Sequence, residues 1–241
     1  MTDFATTCRC GAEVHIDLPD DERQRQWAEK LAHLVVCDEC AKRHAGEERE
    51  AEEAERVRRA RERLMASGIP AHWRTARLEQ LNGSQPVEAA TRWAAGDLTG
   101  LLLVGPVGVG KTHTAAAAAV TMLARRAVVW ASAPVLMARL ATDMGTPQHQ
   151  AALDALIGRR ALVLDDLDKI RPTNYGAEQL FAAIDSRVAD GVPLLVTANL
   201  TLGEIARRYP APHGEAIASR LAEHCERHDL TGQDRRMGGA A

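Results

Sequence analysis

The alternation of apolar and polar positions changes character near Ser67-Gly68-Ile69-Pro70. Ahead of that point, residues 47–64 read EEREAEEAERVRRARERL, charged almost throughout and rich in helix formers, which predicts a solvated helical linker. Glu52 with Arg56 and Glu55 with Arg59 stand four apart with the acid first; each pair supports an exposed helix by a few tenths of a kcal/mol, roughly. Beyond Pro70, short apolar runs alternate with amphipathic stretches, the pattern of strands and helices building a parallel sheet. Leu101–Val104, Ala127–Ala131, Ala161–Asp165 and Pro193–Asn199 are the predicted strands, and THTAAAAAVTMLARR from Thr112 is a predicted helix.

The expected architecture is therefore α/β, with a parallel sheet flanked by helices. A length of 241 residues suits one such domain and a small satellite, since single cores stop growing near ~250 residues. Aromatics make up only 3% of the chain against 46% hydrophobic residues overall, so aliphatic side chains must fill the core. A net charge of -3 excludes a strongly basic duplex-binding surface and leaves room only for a local basic groove. No apolar run approaches the ~20 residues of a membrane span, and MTDFATTCRCG has neither the basic nor the apolar part of a secretion signal. The expectation is a cytoplasmic protein without a membrane partner. The predicted boundaries are a cysteine-bearing domain at 1–45, a charged helical linker at 46–67, the large domain at 68–236 and a loose tail at 237–241.

Between one apolar run and the helix after it stands Gly105-Pro106-Val107-Gly108-Val109-Gly110-Lys111-Thr112, a full match to the P-loop pattern in the context the pattern requires. Its glycines let the backbone wrap phosphates, and the helix N-terminus adds positive potential. Lys111 is expected to reach the β and γ phosphates of ATP, and Thr112 to ligate Mg²⁺. ALVLDDLD then places Asp165 at the end of a buried strand to hold the same ion, with Asp166 as the base that polarises the attacking water. Simple capping of the next turn is the alternative for this acid pair. The short side chain of Asp166 implies slow turnover, fitting a switch. Asn199 ends another apolar run, where it either contacts the γ phosphate or forms a turn.

Cys8-x-Cys10-Gly and Cys37-x-x-Cys40 are two close thiol pairs that in a reducing compartment predict a closed, structural Zn²⁺ site. His15, His33 and His44 are possible substitutes for one thiol, and free thiols or a redox pair are the alternative to zinc. Cys225, alone beside His224, reads as a partly buried helical residue.

GIPAHWR at 68–74, GPVGVGKTH with His113, LVLDDLDK, VTANLTLGEI and SRLAEHCERHDLTGQDRR together resemble the DnaC, DnaI and IstB group of AAA+ ATPases over roughly Ile69–Arg236. The resemblance implies an AAA+ P-loop fold, a place for His113 in the nucleotide site, Asn199 as the first sensor, and Arg220 as an arginine finger reaching a neighbouring subunit's ATP. It implies Arg236 as the second sensor and self-association into an AAA+ oligomer. Arg220 as an ordinary helix-surface ion pair with Glu223 or Glu215 is the competing reading. The stretch 133–144 resembles the helix with which such proteins grip single-stranded DNA, although Arg139 is its only cation, and a plain amphipathic packing helix is the alternative. A zinc domain, linker and ATPase in this order are similar to loaders that bind a replicative DnaB-type helicase through their N-terminus. A transposition helper of the IstB kind and, more remotely, a small-molecule P-loop kinase are the alternatives.

Overall fold

The structure is a computed structural model that describes residues 2–18, 21–31, 34–142 and 145–234. Two compact units divide the chain, Met1–Arg59 and Ala60–Ala241, and the division falls within one long helix.

In the first unit β1 (Thr2–Thr7) and β2 (Glu13–Leu18) form an antiparallel hairpin, with Phe4 opposite Ile16 and Thr7 opposite Glu13. Residues 13–18 alternate polar and apolar, the period of a strand with one half-covered face. The hairpin turn carries Cys8 and Cys10, closed by the Cys8 N–H on the Ala12 carbonyl and by Gly11 at φ 90°. Helix α1 spans Glu22–Leu31 and α2 spans Asp38–Ala66. Cys40 sits in the first turn of α2, so the helix begins inside the cysteine segment rather than after it. The charged stretch is helical as its composition demands, and Glu55 pairs with both Arg58 and Arg59.

The second unit is a three-layer sandwich. Its five strands are β3 (Gly100–Val104), β4 (Val128–Ser132), β5 (Ala161–Asp165), β6 (Leu194–Ala198) and β7 (Glu226–Asp229), all parallel in the order β4-β5-β6-β3-β7. β3, β5 and β6 are buried at every position because both faces are covered. Leu102, Val104, Leu162, Leu164 and Val196 enter one core, whereas Leu101, Leu103, Val163 and Leu195 enter the other.

Helices α3 (Gln85–Ala95) and α4 (Lys111–Met122) cover the second face. Ala115–Ala119 are fully buried there, small side chains that let α4 lie close on the sheet. The helix stops at Met122, short of the predicted Arg126, as the chain turns back toward β4. Helices α5 (Ala133–Thr142), α6 (Pro147–Ile157), α7 (Asn174–Asp190), α8 (Leu202–Arg208) and α9 (His213–His224) belong with the first core. Arg187 of α7 is almost fully buried and donates to the carbonyls of Ala155, Leu156 and Arg160, satisfying the open end of α6 with a charge of the favourable sign. Among the described residues no helix is long and apolar enough to cross a membrane.

Candidate nucleotide site and cysteine centre

The P-loop occupies the turn from β3 into α4, at the carboxyl ends of the parallel strands where α/β sheets place their ligands. Gly105, Gly108 and Gly110 hold φ values of 151°, 83° and 105°, which other residues rarely adopt. Space restricts them too, since a Cβ on Gly105 would lie 2.1 Å from the Leu230 carbonyl oxygen. One on Gly108 would run into the Asp234 carboxylate.

Lys111 opens α4 and is nearly buried. Its Nζ donates to the Gly105 and Pro106 carbonyls at 2.7 Å each and to Asn199 Oδ1 at 2.9 Å. Burial lowers its pKa, while Asp166 and Asp168 oppose that shift. Next to it, Thr112 Oγ1 donates to Asp165 Oδ1 at 3.1 Å, and Thr197 Oγ1 donates to the same oxygen at 2.6 Å. Burial pushes the Asp165 carboxyl up and the two hydroxyls pull it back. A hydroxyl and a carboxylate oxygen this close at the mouth of the loop are the donor set a Mg²⁺ ion takes.

Asp166 is the only non-glycine at positive φ among the described residues, at φ 60° and ψ 48°. The left-handed turn costs about 1–3 kcal/mol and brings its carboxylate to Lys169 Nζ at 2.7 Å. Asn199 stands just past β6. Asp168 accepts from both its N–H (2.6 Å) and its Nδ2 (2.9 Å), so the amide's oxygen is aimed at Lys111. A cavity of about 170 Å³ is lined by Trp73, Val107, Gly108, Lys111, Thr112, His113, Asp166, Lys169 and Asn199. Trp73 and His113 stack at its rim, with ring centroids 5.0 Å apart.

The predicted residues Gly105–His113, Asp165, Asp166 and Asn199 thus come together. Asp168, Lys169, Thr197 and Trp73 join them without having been singled out from sequence; Asp168 and Lys169 directly follow the acid pair, which was the available signal. Arg220 does not line this cavity. It pairs with Asp185 Oδ1 and Glu223 Oε2 at 2.7 Å each on the surface of its own chain. Arg236 lies outside the described residues. Cys225 is the residue after α9 rather than within it, and burial pushes its thiol up to about 12.

In the other unit the Sγ atoms of Cys8, Cys10, Cys37 and Cys40 all lie within 4.8 Å of one another. Tetrahedral Zn²⁺ with Zn–S near ~2.3 Å places sulfurs about 3.8 Å apart, so the set fits that ion. Hydrogen bonds around Cys10 and Cys37 lower the Cys8 thiol to about 6, while the surrounding sulfurs raise Cys40 to about 12; a cation removes that mutual opposition. His15 is paired with Asp3 and His44 with Glu47, and His33 lies outside the described residues.

A P-loop leaving β3, with acids ending β5 on the far side of β6 in this five-stranded parallel sheet, defines a P-loop nucleotide-binding protein of AAA+ architecture. The chain belongs to the family described as IstB-like ATP binding protein, whose model matches residues 30–238. It is 33% identical over 137 residues to an ATP-binding protein in an insertion sequence of Mycobacterium tuberculosis, across 55% of this chain and 53% of that one. The chain therefore spans about half the length of that curated relative. Among solved structures it is similar to DnaI (TM-score 0.59, 22% identity, 70% of this chain and 95% of that one). It is also similar to the DnaC helicase loader (TM-score 0.57, 22% identity, 67% and 100%). At this identity the likeness concerns the fold.

Proposed function

We propose that this protein is an ATP-hydrolysing switch that loads a replicative helicase of the DnaB type onto single-stranded DNA. The observation that carries the reading is the pairing of a four-thiol module in one compact unit with a P-loop site in the other. A closed zinc site offers no open coordination position, so the module serves folding and docking rather than chemistry.

In the nucleotide site Lys111 leaves its three internal oxygens for the β and γ phosphates, which the P-loop amides from Gly105 to Thr112 cradle and His113 flanks. Thr112 and Asp165 would hold Mg²⁺, whose charge neutralises the phosphate oxygens. Asp166 accepts a proton from the attacking water, and Asn199 contacts the terminal phosphate. Arg220 would exchange its surface partners for the ATP of a neighbouring subunit in an oligomer, and Arg236 would act as the second sensor. Arg139, beside an apolar groove of about 600 Å³ between β4, α5 and α6, is the cation available to a DNA strand there.

Size-exclusion chromatography with light scattering on the full chain and its cognate helicase tests the docking. A complex that survives Lys111→Ala and is lost on deleting residues 2–44 is the expected result, and no complex in any nucleotide state overturns the loader reading. The second reading, a transposition helper assembling on duplex DNA, is favoured by the relative in an insertion sequence; ATP-dependent filaments on duplex DNA together with transposase binding would establish it.

Asp168 is a positioning residue in this scheme. Asp168→Ala releases the Asn199 amide, and kcat is expected to drop roughly tenfold with KM nearly unchanged, a smaller loss than the ~10²–10³ of removing a direct transition-state donor. Equal changes in kcat and KM in steady-state phosphate release would contradict that role.

A further inference from the structure

Lys169 stands in the nucleotide cavity without a part in the scheme above. It ends the short 3₁₀ turn Leu167–Lys169, which Tyr209 anchors by donating its hydroxyl to the Leu167 carbonyl at 2.8 Å. Its ammonium bonds Asp166 Oδ2 at 2.7 Å, with 51% of the lysine side chain and 27% of the aspartate exposed. So exposed a pair is held weakly. The partner it covers is the proposed base. It lines the same cavity as Lys111, Thr112 and Asn199, and its positive charge adds to the burial that lowers the Lys111 pKa. Two ammonium groups thus converge, Lys111 bonded to three oxygens of its own chain and Lys169 to the Asp166 carboxylate.

We propose that Lys169 is a phosphate-binding catalytic residue acting within its own subunit: paired with Asp166, it masks that carboxylate until ATP binds, and then transfers to the terminal phosphate. The inference rests on the P-loop reading above. A γ phosphate carries more charge than one carboxylate and draws the half-exposed, flexible lysine across the cavity. Its departure uncovers Asp166. The water oxygen then bonds to the γ phosphorus, the bond from phosphorus to the bridging oxygen breaks, and that electron pair leaves on ADP. The water proton passes to Asp166. One side chain thereby couples recognition of the third phosphate to release of the base.

The test is equilibrium binding of ATP and of ADP, each with Mg²⁺, to the full chain, followed by steady-state turnover. Lys169→Ala is expected to weaken ATP about tenfold, as loss of one charge-assisted bond does, to leave ADP within about twofold, and to lower kcat. Lys169→Arg restores most of the preference for ATP. Asp166→Asn frees the lysine while leaving the phosphate contact intact, so ATP binds at least as tightly as to the wild type. Equal losses for ATP and ADP, unchanged ATP affinity, or a raised kcat in Lys169→Ala would each overturn the proposal, the last by reducing the lysine to a mask. Wild-type protein that binds neither nucleotide fails the P-loop reading itself; wild-type binding with an unaltered ATP-to-ADP ratio in Lys169→Ala fails only this inference.

Discussion

Lys111→Ala is expected to lower kcat/KM for ATP on the order of 10³-fold, the scale of removing a cation that stabilises phosphoryl transfer. The same variant should lose the stabilisation ATP gives the fold. A ligand at 100 times its Kd adds about 2.7 kcal/mol, which raises Tm by roughly 5–10 °C in a domain of this size. Thermal unfolding with and without ATP and Mg²⁺ reads both: a rise in the wild type and none in Lys111→Ala. An equal rise in both proteins would remove Lys111 from the site.

The pH profile of the wild type follows from burial. Asp165 titrates above its ordinary 3.8 and Lys111 below its ordinary 10.5, both chiefly through desolvation. A protonated Asp165 cannot ligate a metal and a neutral Lys111 cannot pair with phosphate. kcat/KM therefore falls at the acid end through a limb above the usual aspartate range, and at the alkaline end through a limb below the usual lysine range. Stability runs the other way at each group. The folded state holds the Asp165 proton more tightly than the unfolded chain, so the contribution of this group declines as pH rises from 3.8 to its raised value. The folded state holds the Lys111 proton less tightly, so stability rises from its lowered value toward 10.5.

The core strands were legible because β3, β5 and β6 are covered on both faces and must be continuously apolar, a requirement written directly into Leu101–Val104, Ala161–Asp165 and Leu194–Ala198. β7 was not read. Its sequence is ERHD at the sheet edge, where pairing with β3 rather than burial selects the strand. The β1–β2 hairpin carried a visible signal in the alternation of residues 13–18, though neither strand is long enough to stand alone in water.

In the nucleotide site the P-loop and the acid pair were readable because their spacing is fixed by one strand and one helix. Asp168 and Lys169 depend instead on the left-handed turn at Asp166, which sends the chain back under Asn199. No periodicity announces a backbone conformation that L-residues avoid. Thr197 likewise acts through the strand beside it, donating to Asp165 and accepting the Asp166 N–H. Arg187, a cation buried by three carbonyls, has the sequence signature of an ordinary surface residue.

Metal removal is expected to separate the two units in stability. The first unit has a two-stranded hairpin and two helices. Cys8 and Cys40 are the buried hydrophobic residues among its described positions, so its thiols stand where a core would. Structural zinc in modules of this kind contributes about 10–16 kcal/mol, more than a small apolar cluster supplies. The second unit has two large aliphatic cores and needs no metal. A strong chelator with a mild reductant should release one zinc per chain, measured by a colorimetric indicator. The loss in far-UV circular dichroism should be small, because the charged part of α2 retains local helix support. ATP binding should stay within about twofold, because the hydrogen bonds that hold Lys111, Thr112 and Asp165 come from within the second unit. Cobalt in place of zinc should give the sulfur-to-metal charge-transfer absorption of a four-thiolate site, lost on Cys8→Ser or Cys40→Ser. Chelation that abolishes ATP binding would show the cysteine centre to be part of the nucleotide machinery; no released metal and no cobalt spectrum would make the four thiols a redox cluster, and would take from the loader reading the module through which it docks.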